Sequence, residues 1–207
     1  MIYALSTIQI IFIASASLVG AILLFLLIFI PITKLYRRKN YRNYYYRKVY
    51  KIALYRDYYL VNNFKFRGEQ DTYISVDHIL FGEKFIYVIM DKYYDGDLMG
   101  NATDPSLILI DRNGSKGYVD NPFFSFNKLM SRFSTETGIS TDLMIGVTLI
   151  NDNCRMNIAT DSKQFFMVQR RRFSKLIKLI ESRPVTNINA KQLQDAVLAV
   201  DKMNKNK

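Results

Sequence analysis

The first charged side chain in this 207-residue chain is Lys34. Ahead of it, residues 10–32 are almost entirely apolar. About 20 apolar residues in a helix cross a bilayer core, so the run is long enough to span one. A cleaved secretory signal would begin with basic residues and carry a shorter apolar core and a small-residue cleavage site. Here the front is uncharged, and the run leads straight into Pro31-Ile32-Thr33-Lys34 and a basic, tyrosine-rich segment. Residues 1–33 are therefore expected to form an uncleaved transmembrane anchor, residues 34–46 a juxtamembrane segment, and residues 47–207 a single domain.

Charge asymmetry orients the span. Lys34, Arg37, Arg38, Lys39 and Arg42 follow it closely, with nothing basic before it. Basic flanks stay on the cytoplasmic side, so a single-pass protein of the cell membrane is expected, N-terminus outside and C-terminal domain in the cytoplasm. The single cysteine, Cys154, agrees with a reducing compartment. Every Lys, Arg, Asp and Glu lies from Lys34 onward, so the part outside the membrane carries the formal net charge of +11. That excess favours anionic partners. For Lys34, Arg37, Arg38, Lys39 and Arg42 the expected partner is a bilayer with anionic headgroups, which attracts about 1 kcal/mol per nearby basic residue. A second basic cluster, Arg170, Arg171, Arg172 and Lys175, is either a solvated helix face or a binding surface for phosphate or nucleic acid.

Apolar and aromatic positions Tyr50, Leu54, Tyr58 and Val61 recur at helical spacing and predict a helix over residues 43–61. Its later tyrosines are expected to pack on a sheet. Residues 72–80 and 84–90 read as adjacent strands joined by a turn around Gly82-Glu83-Lys84. Residues 106–111 and 117–120 read as a hairpin, with Asn113-Gly114 suited to a type I′ turn. Asn121-Pro122 opens a helix over 123–134. Strands over 143–150 and 156–159 follow, then helices over 173–182 and 190–203, the last with Asn187 or Asn189 as cap candidates. Helices and strands mixed around one sheet make an α/β or α+β layout.

Two adjacent strands with an acid, Asp77, on the first and a lysine, Lys92, at the end of the second resemble the nuclease-related domain (NERD) family. That family is a branch of the restriction-endonuclease-like superfamily. Tyr94 and Gly96 match the aromatic and glycine that follow its lysine, and Asn121-Pro122 matches its N-P motif. Residues 143–150 match the next strand and 187–203 the terminal helix. The resemblance covers about residues 47–203. It implies a restriction-endonuclease-like central mixed sheet flanked by helices, after the N-terminal transmembrane helix. It also implies Asp77 and Lys92 as catalytic positions and magnesium as the metal of an active member.

The departures are chemical. The second carboxylate, two residues before the lysine, is Met90, which cannot bind a hard cation through oxygen. Asp91 is adjacent, but neighbouring strand residues point to opposite faces, so it should face away from Asp77 unless a bulge re-aims it. The family's acid on the first helix, the glutamine after N-P and the tryptophan have no counterpart. Phosphodiester cleavage of this kind needs divalent metal to polarise phosphate and activate water. The resemblance therefore implies a vestigial site in a module that binds nucleic acid or a protein partner at the cytoplasmic membrane face. Two alternatives stand beside it. One is an active nuclease whose metal site is rebuilt from Asp77 and Asp91 with Asp95 or Asp57. The other is a scaffold using its basic surface against lipid alone.

Other chemistries find little support. Residues 93–97 lack the acid spacing of an EF-hand and read as a turn. His78, the one histidine, reads as structural. One cysteine and one histidine are too few for a structural zinc site. Asn101-Ala102-Thr103 fits a glycosylation sequon that a cytoplasmic domain would leave unmodified. No Walker loop, dinucleotide-binding glycine pattern or Ser-His-Asp arrangement is supported.

Overall fold

The structure, a computed structural model, describes residues 7–67 and 73–205. It divides into two compact units, residues 1–41 and 42–207. Residues 1–6 of the expected anchor, and Thr72 at the start of the first expected strand, lie outside the described residues.

The first unit is built on α1 (Thr7–Lys39). Within it, Ile11–Thr33 is 23 residues long and apolar enough to cross a membrane, and none of its most apolar window is buried. A core helix of a soluble protein would bury at least one face. Two hydroxyls on this helix bond within it: Ser15 donates to the Phe12 carbonyl and Thr33 to that of Ile30, each at 2.9 Å.

The second unit is a mixed α/β arrangement with two mixed sheets. It opens with α2 (Tyr41–Arg56), which buries Tyr45, Val49, Ile52 and Ala53. The helix predicted over residues 43–61 therefore stops early. Asp57 takes a left-handed φ of 55°, and the Tyr58 N–H closes onto the Ala53 carbonyl at 2.9 Å. The chain then becomes a strand, β1 (Tyr59–Arg67). Tyr50 and Leu54, predicted on the packed face, are 47% and 71% exposed. The row that packs is displaced by one residue, to Tyr45-Val49-Ala53.

The main sheet runs β1-β2-β3-β7-β9, with β2 (Tyr73–Phe81), β3 (Ile86–Asp91), β7 (Met144–Ile150) and β9 (Phe165–Gln169). β1, β2 and β3 are antiparallel neighbours, and β3, β7 and β9 are parallel. All seven residues of β7 are buried, as expected of a central parallel strand covered on both faces. α3 (Pro122–Thr137) and α5 (Ala190–Lys205) close a core with Phe64, Val76, Val88, Phe126, Phe133 and Val200. α4 (Phe173–Glu181) packs on β9. Its buried Glu181 accepts from the Tyr87 hydroxyl at 2.7 Å and the Lys84 N–H at 3.1 Å, tying the helix end to the β2–β3 turn.

A second sheet was not legible in the sequence. It runs β6-β5-β4-β8, with β4 (Gly96–Asn101), β5 (Ser106–Asp111), β6 (Lys116–Asp120) and β8 (Met156–Ala159). The β5–β6 hairpin forms without the type I′ turn, because only Gly114 is left-handed there, with φ 84°. The Asp111 carboxylate instead accepts from the Asn113 and Ser115 N–H groups, at 2.8 and 2.9 Å. The Asn121 side chain caps α3 by accepting from the Phe123 N–H at 3.1 Å. Its amide nitrogen donates to the Asn101, Ala102 and Asp104 carbonyls. The N-P motif is thus a brace between α3 and the β4–β5 loop.

Gly96 marks a close approach of β4 to β5. A Cβ there would lie 2.1 Å from the Ile110 carbonyl oxygen and 2.8 Å from its carbon, neither of which can rotate away. Gly96→Ala is expected to cost about 1–3 kcal/mol or more as β5 is forced back. Gly117→Ala, where a Cβ meets nothing within 4 Å, should stay within about 0.5 kcal/mol. Urea unfolding followed by tyrosine near-UV circular dichroism would compare them, and equal midpoints would refute the close-approach account.

Candidate functional site

The candidate site lies where the β-ladder breaks. β1 pairs with β2 through Asn62↔His78 and Phe64↔Val76, skipping the step between. β2 pairs with β3 only as far as His78↔Ile89. Asp77 is therefore left out of the ladder on both flanks. Opposite it, Asn63 adopts a left-handed φ of 51°, which asparagine tolerates better than most residues. On the other side the Asp77 carboxylate supplies the acceptor, and the Asp91 N–H donates to its Oδ2 at 2.8 Å.

The register also aligns three polar side chains on one face across three strands. Asn62 is directly opposite His78, and Asp91 stands two residues beyond His78's partner Ile89. His78 Nδ1 lies 2.7 Å from Asn62 Oδ1, and Nε2 lies 3.1 Å from Asp91 Oδ2. The imidazole bridges the two side chains, with its donor and acceptor roles set by its tautomer. His78 and Asp91 are buried, at 4% and 3% exposure. Burial pushes the Asp91 carboxyl above its ordinary range. His78 pulls it back, the nearby Asp77 charge adds to the rise, and Arg42 opposes it. Asp91 Oδ1 is buried with no hydrogen-bond partner.

A cavity of about 360 Å³ is lined by Asp77, His78 and Asp91 with Asn62 and Asn63. The N-terminal part of α2 completes it with Arg42, Asn43 and Tyr46. The Tyr46 ring centroid is 6.3 Å from that of His78. Asp77 and Asp91 thus share one cavity although strand alternation assigns them to opposite faces. Asp77 reaches the end of β3 from the position that the ladder skips.

Lys92 does not line this cavity. It is exposed just beyond β3, with its carbonyl accepting from the Tyr45 hydroxyl at 3.2 Å. Met90 is half-buried and packs against the main core. Asp95 is ion-paired to Arg112 at 3.0 Å, Asp57 ends α2, and neither lines the cavity. Arg42, assigned from sequence to the membrane surface, lines it instead. Lys34, Arg37, Arg38 and Lys39 lie in the last turns of α1. Among Arg170, Arg171, Arg172 and Lys175, Arg170 is ion-paired to Asp152, whose other oxygen accepts from the Arg171 N–H at 2.7 Å. Arg172 and Lys175 are exposed at the start of α4. Cations at a helix start oppose its dipole, and Asp152 offsets that. None of the four lines the cavity.

Asn62, Asn63 and Tyr46 were not singled out from sequence. Paired asparagines are poor strand formers, and that local misfit inside β1 was the available signal. Compared with family models, with curated proteins and with solved structures, the chain matches none.

Proposed function

We propose that residues 42–207 are a restriction-endonuclease-like, NERD-type module. α1 would tether it to the cytoplasmic face of a cell membrane, where it holds nucleic acid or a protein partner without cutting phosphodiesters. The observation that carries this reading is the commitment of the acids. Asp77 on β2 accepts the Asp91 N–H, Asp91 is paired with buried His78, and Met90 packs into the core where a second carboxylate would stand. Adjacent antiparallel β2 and β3, with Asp77 on one and Lys92 just past the other, support the fold assignment. The net charge of +11 supports an anionic partner.

One observation favours the alternative of an active metal-dependent nuclease. Asp77 and Asp91 line the same cavity, and the unpartnered Asp91 Oδ1 is an oxygen donor of the kind magnesium takes. Those two carboxylates would hold the ion, which when bound would polarise a phosphate and activate water. Arg42 beside them weakens the attraction for a cation.

The full-length chain in detergent, incubated with plasmid and single-stranded DNA plus magnesium or manganese, is expected to leave both substrates intact. DNA binding should weaken by about tenfold or more between 50 and 200 mM salt as counterions are released. Cutting that Asp77→Ala and Lys92→Ala both abolish would overturn the non-cutting reading. Absence of DNA binding at low salt would leave a protein as the partner.

A further inference from the structure

We infer that the outward side of α2 is a membrane-docking surface that lies in the headgroup layer of an anionic bilayer. This rests on the reading of α1 as a membrane span.

The surface consists of two neighbouring rows at i, i+4, i+8 spacing, Tyr46-Tyr50-Leu54 and Arg47-Lys51-Tyr55. Residues so spaced share a helix face. Tyr46, Tyr50, Leu54 and Tyr55 are 39%, 47%, 71% and 90% exposed, and Arg47 and Lys51 are exposed between them. The opposite row, Tyr45-Val49-Ala53, is buried, so packing fixes which side faces outward. α2 contains no acidic residue. Tyrosine and leucine beside basic side chains, with no compensating acid, form a poor water-facing surface. They suit an interfacial helix, with rings and alkyl groups below the phosphates and cations among them.

Continuity along the chain supplies the occupant. Only Asn40 separates α1 from α2, so the bilayer that receives Ile11–Thr33 is the surface nearest in sequence to this face. Charge agrees, since Lys34, Arg37, Arg38 and Lys39 precede α2 and cytoplasmic leaflets are anionic. One consequence concerns the cavity. Its α2 rim, Arg42, Asn43 and Tyr46, would sit at headgroup level, so a ligand would reach it along the membrane surface.

The test uses the full chain in nanodiscs of phosphatidylcholine with about one third phosphatidylglycerol, an anionic surface. Single nitroxide labels are placed through Leu54→Cys, Tyr55→Cys, Leu27→Cys in α1, and Tyr118→Cys, a site 79% exposed on the second sheet. Cys154 stays unlabelled, because burial pushes its thiol up to about 11. Collision with a water-soluble nickel chelate is read by power-saturation EPR. Labels at 54 and 55 should be shielded several-fold relative to 118, and replacing the anionic lipid should restore access. Shielding at 27 with full access at 54 and 55 overturns the docking surface and leaves the span standing. Access at 27 removes the span and the docking surface together. Shielding at 54 and 55 in detergent that grows with protein concentration assigns the face to a second copy. Shielding that appears only on adding an oligonucleotide assigns it to base stacking. Either result overturns the proposal.

Discussion

His78→Ala is expected to destabilise the domain by about 3 kcal/mol or more at neutral pH, the cost of leaving a buried carboxylate without its hydrogen-bonded partner. The substitution removes the partner of Asp91 Oδ2, and Asp91 Oδ1 already lacks one. The carboxylate would then be buried with no hydrogen-bonding side chain. Its folded pKa, raised even with His78 in place, would rise further. A raised carboxyl pKa means that the folded state binds the proton more readily than the unfolded chain does. The variant should therefore gain stability on acidification from neutral pH towards the ordinary aspartate value of 3.8, and lose it as pH rises through the raised folded value. Asp91→Asn in the same background should recover much of the loss, because the uncompensated charge is gone. Urea unfolding of the full chain in detergent at several pH values would measure this. A loss independent of pH, and not recovered by Asp91→Asn, would mean that His78 acts by packing alone.

Phe133→Ala should cost a similar amount, about 3–5 kcal/mol, for a different reason. Phe133 lies on α3 and is 1% exposed. Its ring meets Phe64 of β1 edge-on, with centroids 5.6 Å apart and planes at 76°. Truncation removes the apolar surface and leaves a cavity between helix and sheet that neighbours on α5 can fill only in part. A double-mutant cycle with Phe64→Ala should return a coupling of about 0.5–1.5 kcal/mol for the aromatic pair. Unfolding midpoints supply all four corners. A loss below about 1 kcal/mol for Phe133→Ala would show that α3 does not close the core in this way.

Much of the frame was legible because its signals are local. β3 was read from a continuous β-branched and aromatic run, β2 from alternation that turns apolar, and β5 and β6 from a hairpin. α3 was read from Asn121-Pro122, and its end is closed by left-handed Gly138, whose N–H meets the Ser134 carbonyl at 2.8 Å. Segments whose signals conflict were not legible. β1 carries Asn62-Asn63 in mid-strand and follows a helix without a proline or glycine to separate them. β4 begins at Gly96-Asp97, a pair that reads as a turn. It becomes a strand by pairing with β5 and β8, residues 106–111 and 156–159.

By itself the sequence determined that an uncharged apolar helix precedes a strongly basic domain, and that Asp77 and Met90 stand on neighbouring strands. Those conclusions need only composition and the spacing of adjacent residues. Tertiary structure alone decided which side of α2 is exposed, that a second sheet forms, and that Asn62, His78 and Asp91 align across three strands beside Asp77. The reason is register. A slip of one residue between strands turns every side chain to the other face, and the pairing that sets it depends on residues far apart in the chain.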